Sequence, residues 1–316
     1  MSKRTRKIFE FIIESTIKFS GYASILFVIL IMLFLLKDAL PILREVPLSD
    51  LLFGDTWRPT STKPGFGFLP LLYGSLIVTV FALIIAIPLG IACAGFIAEV
   101  APPLVREIIK PLVELLAAIP SVVYGFIGLV VVGEWVKHSM VTVSEKLPGP
   151  EWLQAALNMP TGLAALTGAL MLALMTLPTI VSIAEDALTA VPRSYREGSL
   201  ALGATRWQTL IRVTIPAAKS GIIAAIMLGI GRVVGETMTV LMVTGNSAVI
   251  NPLTTALFRP VRTMTATIAA EMGETAHQTP HYHALFMLGV ILLLITFAVT
   301  TAADYITHRS QHVEHR

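Results

Sequence analysis

An arginine and a glutamate, Arg232 and Glu236, stand inside an apolar run spanning roughly residues 220–244. A guanidinium keeps its charge and presents a planar fork of donors that suits phosphate oxygens. On a helix, a carboxylate four residues further on lies one turn away on the same face. There it can hold the arginine or release it to an incoming anion. At a helix centre each charge costs at least about 2.5–3.5 kcal/mol in lipid, so both must face a bundle interior or a wet path. The other reading is an internal ion pair that locks packing. Arg before Glu is the weaker order for a pair within one helix, which favours partners on neighbouring helices.

A second group occupies a polar stretch, Glu185 to Lys219. Pro192 can open a helix, and Arg193, Tyr195, Arg196 and Glu197 follow. Gly198 to Gly203 are mostly small and end at a glycine stop. Ala204 to Arg212 predicts a second helix with Trp207, Leu210 and Ile211 on one side. Ile215-Pro216 ends it, and Lys219 marks re-entry into apolar sequence. Two short helices with a glycine corner admit another backbone closely, and their arginines offer charge-assisted contacts. A hairpin lying flat on anionic lipid fits these residues equally. Glu185 and Asp186 oppose the dipole of the helix they close, so contact with Arg193 or Arg196 is expected.

The rest of the chain must position these groups in a membrane. Of 316 residues, 55% are hydrophobic and 14% charged, against about 25% charged in soluble domains. Six segments are long and apolar enough to span: 19–40, 72–98, 111–135, 160–184, 220–244 and 284–304. The expected fold is an all-α polytopic bundle of about six transmembrane helices. Most Lys and Arg fall in 1–18, 99–110, 185–219 and 305–316, which places those segments and both termini on the cytoplasmic side. The modest net charge of +3 orients a membrane protein in lipid and does not suggest nucleic acid. The basic start (Lys3, Arg4, Arg6, Lys7) precedes a membrane-length run with no cleavage site, and reads as a retained helix.

This divides the chain into an inner segment 1–18, a first helix 19–40, an irregular outer loop 41–71, a core 72–304 carrying the 185–219 loop, and an inner tail 305–316. Pro148 and Gly149 break a further outer loop, and Trp57, Trp135 and Trp152 are expected at membrane interfaces. Pro88, Pro120 and Pro178 lie within the second, third and fourth predicted helices. Each removes a backbone hydrogen bond. They are either tolerated kinks or a ring of gate hinges.

Glu271, Glu274, His277, His281 and His283 match no zinc spacing and read as solvated loop residues. The single cysteine, Cys93, excludes an intrachain disulfide. No G-x-x-x-x-G-K-[ST] occurs, so the chain binds no ATP by a P-loop and any ATP use belongs to a partner. No metal, cofactor or catalytic set is expected.

Glu197-Gly198-Ser199, three residues, Gly203, nine residues, then Val213-Thr214-Ile215-Pro216 resembles the "EAA" loop of ABC importer permeases. The glutamate, glycine, proline and spacing are kept. Gly198, Ser199, Val213 and Ile215 depart from the usual Ala, Ala, Ile and Leu. AAIPSVVYGF (117–126), LPTIVSIAEDAL (177–188), VPRSYREGSLALGATRWQT (191–209) and GRVVGETMTV (231–240) are similar to Pst-type phosphate permeases. FGFLPLLYGS (66–75) and TMTATIAAEMGE (263–274) favour the PstC-like subunit.

The resemblance covers most of 66–300. It implies a type I importer fold and an inner-membrane location. It also implies ATPase coupling through Arg193, Arg196, Glu197, Gly198, Ser199, Gly203, Ala204 and Pro216, and a translocation path at Arg232 and Glu236. The partners it implies are a PstA-like permease, two PstB-like ATP-binding subunits and a PstS-like phosphate-binding protein outside. The loop motif alone leaves sulfate, molybdate or tungstate open. An ion-coupled secondary carrier would show discontinuous helices or inverted repeats, and neither is visible.

Overall fold

The computed structural model describes residues 3–146, 150, 154, 157 and 159–314; Pro148, Gly149 and Trp152 lie outside them. Apart from a small antiparallel hairpin, β1 (Trp57–Arg58) and β2 (Gly65–Phe66), the regular structure described is helical. Helices satisfy their own backbone groups, as a chain crossing lipid must. Among the described residues five helical stretches are long and apolar enough to span: Glu10–Arg44, Leu69–Val100, Ser121–Lys146, Ala165–Thr189 and Pro280–Ala302. A bent pair, Arg206–Ala217 and Lys219–Val234, makes a sixth, with 76° between its halves. The architecture is the expected all-α polytopic bundle.

The first helix, α1 (Lys3–Ala39), absorbs both the expected inner segment and the expected first span. It packs on the last helix of the chain. A short helix α2 (Leu48–Phe53) and the β1–β2 hairpin precede α3 (Leu69–Gly95).

The third predicted span, 111–135, does not exist as one helix. Residues Pro103–Ala117 form a separate amphipathic helix, α4, with no buried residue. Helix α5 (Ser121–Ile127) starts after Pro120, which adopts φ −59° and ψ 140°. Pro120 is therefore a break between two helices, not a kink inside one, because it supplies no N–H to continue α4. From α5 the chain runs through a π-helical turn, Gly128–Val132, into α6 (Gly133–Lys146).

Helix α7 (Ala165–Thr189) is the centre of the bundle, and α3 makes the most extensive contact with it. Small residues bring the axes together, as in other membrane bundles. Gly90 of α3 lies against Ile180, and Gly168 of α7 lies against Thr244 and Val78. Pro88 and Pro178 sit inside α3 and α7 as expected.

Beyond α7 the polar stretch folds as α8 (Arg193–Ala201), α9 (Arg206–Thr209), a π-helical turn Leu210–Thr214, and α10 (Ile215–Ala217). Pro216 does not end this second helix. The π turn before it breaks the regular bonding pattern that a proline would disrupt, and the chain bends only at Ala218.

The fifth predicted span, 220–244, is also two helices: α11 (Lys219–Val234) and α12 (Met238–Val243), separated by Gly235–Thr237. The expected outer loop that follows folds back into the bundle. Val261 bridges to Gly245 beyond the short helix α13 (Leu253–Ala256). Helix α14 (Met264–Glu271) then buries Met264, Thr265, Ala266 and Thr267. Helix α15 (Pro280–Glu314) completes the chain.

Candidate functional site

Arg232 occupies the last turn of α11, about 20 Å from Lys219 at about 1.5 Å per residue. It is half-buried and donates from Nη1 to Thr179 Oγ1 at 3.2 Å. Thr179 follows Pro178 on α7. The Nε of Arg232 is buried without a hydrogen-bond partner, and so is the Thr176 hydroxyl one turn earlier on α7. A guanidinium offers several donors in a fixed fork, so much of its capacity is unspent. The buried Tyr124 phenol of α5 donates to the Leu116 carbonyl at 2.9 Å.

Glu236 does not sit one helical turn beyond Arg232. It lies in the break after α11 and is 9% exposed. Its Oε1 accepts the Thr239 backbone N–H at 3.0 Å, satisfying one of the free donors that open α12. Its carbonyl accepts from Thr265 Oγ1 at 2.8 Å. Thr239 in turn donates its hydroxyl to the Ser121 carbonyl at 3.0 Å, joining α12 to the start of α5. A small cavity of about 10 Å3, lined by Ser75, Thr79, Glu236, Thr263 and Thr265 among others, leaves room for about one water. The predicted Arg–Glu pair is thus replaced by a hydroxyl-rich seam. Its threonines carry no sequence signal, since their partners lie far along the chain. Gly235-Glu236-Thr237, a glycine and a capping residue inside an apolar run, was the one local mark of the break.

The discontinuity at 235–237 corrects the expectation of continuous helices. Broken helices therefore do not separate this chain from secondary carriers.

At the other group of residues, Gly203 adopts φ +84°. Its N–H bonds to the Leu200 carbonyl and that of Ala204 to the Ser199 carbonyl, which is the Schellman closure that glycine permits. Thr205 then caps α9 reciprocally with Gln208. Ser199 and Thr209 join the two helices at 3.0 Å. Gly198 has open space where a Cβ would sit. Leu202 is 91% exposed and Trp207 64%, so the hairpin presents apolar side chains outward. Arg193 and Glu197 are exposed. Arg196 points inward instead, pairing with Glu99 at 2.5 Å and donating to the Leu188 carbonyl at 2.6 Å.

Glu185 and Asp186 find other cations than expected. Glu185, with a side chain 2% exposed, pairs with Arg106 and with Lys110 at 2.6 Å; Asp186 pairs with Lys110 at 2.7 Å. Both cations belong to α4. Hydrogen bonds from Lys110 to Asp186 and Glu185 hold its ammonium above the ordinary lysine value, so it stays charged.

At the end of the bundle away from the hairpin, the acids and histidines are not simply solvated. Glu271 accepts Trp57 Nε1 at 3.2 Å, pairs with Arg262 at 2.7 Å and meets His281 Nε2 at 2.8 Å. Trp57 is 4% exposed and so is a core residue, not an interface anchor. These groups and Arg58 line an open cavity of about 850 Å3. Among the described residues no group of three or more His, Cys, Asp and Glu could hold a metal.

The profile of the family described as "Binding-protein-dependent transport system inner membrane component" matches residues 86–312. A Bacillus subtilis protein, "Probable ABC transporter permease protein YqgH", is 40% identical over 253 residues, covering 80% of this chain and 75% of that one. A Mesorhizobium japonicum protein, "Phosphate transport system permease protein PstC", is 38% identical over 262 residues, covering 82% and 78%. Among solved structures, a bacterial ABC transporter involved in the import of the acidic polysaccharide alginate superposes with TM-score 0.55 at 16% identity, covering 96% of this chain and 99% of that one. That likeness concerns the fold alone.

Proposed function

The chain belongs to the family of binding-protein-dependent transport system inner membrane components and is a permease subunit of an ABC-type importer; from that premise we propose that it imports inorganic phosphate. It forms half of a translocation path with a homologous PstA-like permease. Two PstB-like subunits hydrolyse ATP, and a PstS-like protein delivers phosphate from outside. The hairpin of α8 and α9 is the ATPase-docking loop, so its end of the bundle and both termini are cytoplasmic.

The observation that carries the reading is Arg232. It sits deep in the bundle, with donors left over after Thr179 and an unpartnered Thr176 hydroxyl nearby. A fixed cation with spare planar donors recognises a tetrahedral oxyanion. Several relatives of this chain carry the name of phosphate permeases. The hairpin supports docking: Gly198 has open space beside it, and Leu202 and Trp207 are exposed apolar side chains on the same hairpin. On this reading ATP-driven closure of the two ATPase subunits moves the hairpins, and the bundle alternates its access. Pro88 and Pro178 act as hinges, and the break at Pro120 as a third.

The test is labelled-phosphate uptake into proteoliposomes holding the complete complex, with the binding protein outside and ATP inside. ATP-dependent uptake that excess sulfate does not compete away is expected. Active ATP hydrolysis with transport of sulfate, molybdate or tungstate alone would keep the importer and overturn phosphate. Uptake without the ATPase would overturn the coupling.

A further inference from the structure

Helix α4 is attached to the bundle in an unusual way. It buries none of its residues, and an apolar groove of about 460 Å3 lies between it, α3 and α7, lined by Leu89, Ile109, Val113, Leu177 and Pro178 among others. Its polar attachments lie in its N-terminal half and at its close. Arg106 in the first turn and Lys110 at mid-helix grip Glu185 and Asp186. At its close, the Leu116 carbonyl accepts the Tyr124 hydroxyl across the Pro120 break.

The first attachment meets the hairpin's own anchor. Arg196 of α8 donates to the Leu188 carbonyl. The neighbouring Thr189 hydroxyl donates to Glu185 Oε1 at 2.9 Å and accepts from Arg106 at 3.0 Å. The second attachment meets the neighbourhood of Arg232 and Glu236, because Ser121, which opens the same helix α5 as Tyr124, accepts from Thr239 beside Glu236.

We propose that Glu185 is a positioning residue that makes α4 the arm carrying motion from the α8–α9 hairpin to the Arg232 site. The proposal rests on the docking role given above to the hairpin. A buried carboxylate held by two cations on one helix resists being pulled apart, since separating them would leave a buried charge unpaired. A displacement of the end of α7 is therefore passed to α4 and, through the single missing hydrogen bond at Pro111, to its far end, while the apolar groove beside it leaves α4 room to follow. The far end of α4 then shifts Tyr124 and the start of α5.

The experiment uses the assembled complex with its partner permease and ATPase, carrying Cys93→Ser and a single spin-labelled cysteine at Val122, which is 48% exposed and next to the break. A non-hydrolysable ATP analogue is expected to change the label's spectrum. In Glu185→Gln the ATPase should still co-purify and hydrolyse ATP, while the spectral response shrinks by about fivefold, within the range seen for changes along coupling networks. An undiminished response in Glu185→Gln overturns the proposal, as does a label that ignores nucleotide in the unsubstituted complex. If Glu185→Gln fails to assemble, Lys110→Gln gives the same reading, because it keeps the Arg106–Glu185 pair, and Lys110→Arg should restore the response. The measurement needs no transported substrate, so a chain that moved another oxyanion would leave it unchanged. Retention of the ATPase by a Gly198→Leu hairpin would instead overturn the docking role.

Discussion

Arg232 reaches across from α11 to α7 and donates to the hydroxyl of Thr179 at 3.2 Å, the residue directly after the proline inside α7. The contact sets the guanidinium's direction and uses one of its five donors. Arg232→Gln should therefore leave the complex assembled while lowering phosphate uptake by at least about tenfold, the effect of losing a charge-assisted contact worth about 1.5–3 kcal/mol. Arg232→Lys should rescue poorly, because an ammonium lacks the planar fork. Uptake assays on purified complexes of equal subunit content decide the matter, and normal uptake in Arg232→Gln would remove Arg232 from the path.

Glu236 caps α12 through Thr239, which gives it a structural duty apart from any meeting with an anion. Glu236→Ala should lower stability by about 0.5–2 kcal/mol, the usual cost of a lost helix cap. Glu236→Gln keeps an acceptor oxygen and should lose much less. Comparing detergent melting temperatures of the two variants tests this; equal losses would mean the cap contributes nothing.

Gly198 faces open space. Gly198→Ala should be accepted by the fold and should stabilise α8 by about 0.5–1 kcal/mol, since glycine is costly inside a helix. Gly198→Leu also has room in the isolated chain, yet it should abolish co-purification of the ATPase by filling the approach to the hairpin. Retention of the ATPase by Gly198→Leu would move the docking surface elsewhere.

Glu271 binds Trp57, Arg262 and His281 together. The side chains of Glu271, Arg262 and His281 are 16–17% exposed, so screening is incomplete. Glu271→Ala should cost about 1–3 kcal/mol, because Arg262 and the indole N–H lose their acceptor. Fluorescence of Trp57, with Trp135, Trp152 and Trp207 replaced by phenylalanine, followed through thermal unfolding gives both the loss and its location; an unchanged midpoint would mean that solvent satisfies these groups.

Much of this architecture is legible in the sequence, because hydropathy over a membrane length reports helices directly. It fails where a helix stops inside an apolar run. Residues 111–135 look continuous, yet the chain breaks at Pro120 and α4 is a separate amphipathic element. Residues 220–244 look continuous, yet the break at Gly235–Thr237 gives Glu236 a different task from the one its spacing to Arg232 suggests. The hairpin is better foretold: the Pro192 start and the Gly203 stop both hold, since each rests on a local backbone rule. Partners are the least legible layer. Neither Thr179 for Arg232 nor Arg106 and Lys110 for Glu185 follows from local sequence, because such contacts are made only when distant helices pack.

The bend at Ala218 has a geometrical result of its own. The α9–α10 segment and α11 meet there at 76°, so they form the two limbs of a crank. Arg232 rides on the long limb, about 21 Å from the corner at about 1.5 Å per residue. A turn of only about 10° at that corner would sweep the guanidinium sideways by about 4 Å, more than a hydrogen-bond length. A modest swing of the short limb would therefore be enough to take Arg232 out of reach of Thr179 and present it to another partner.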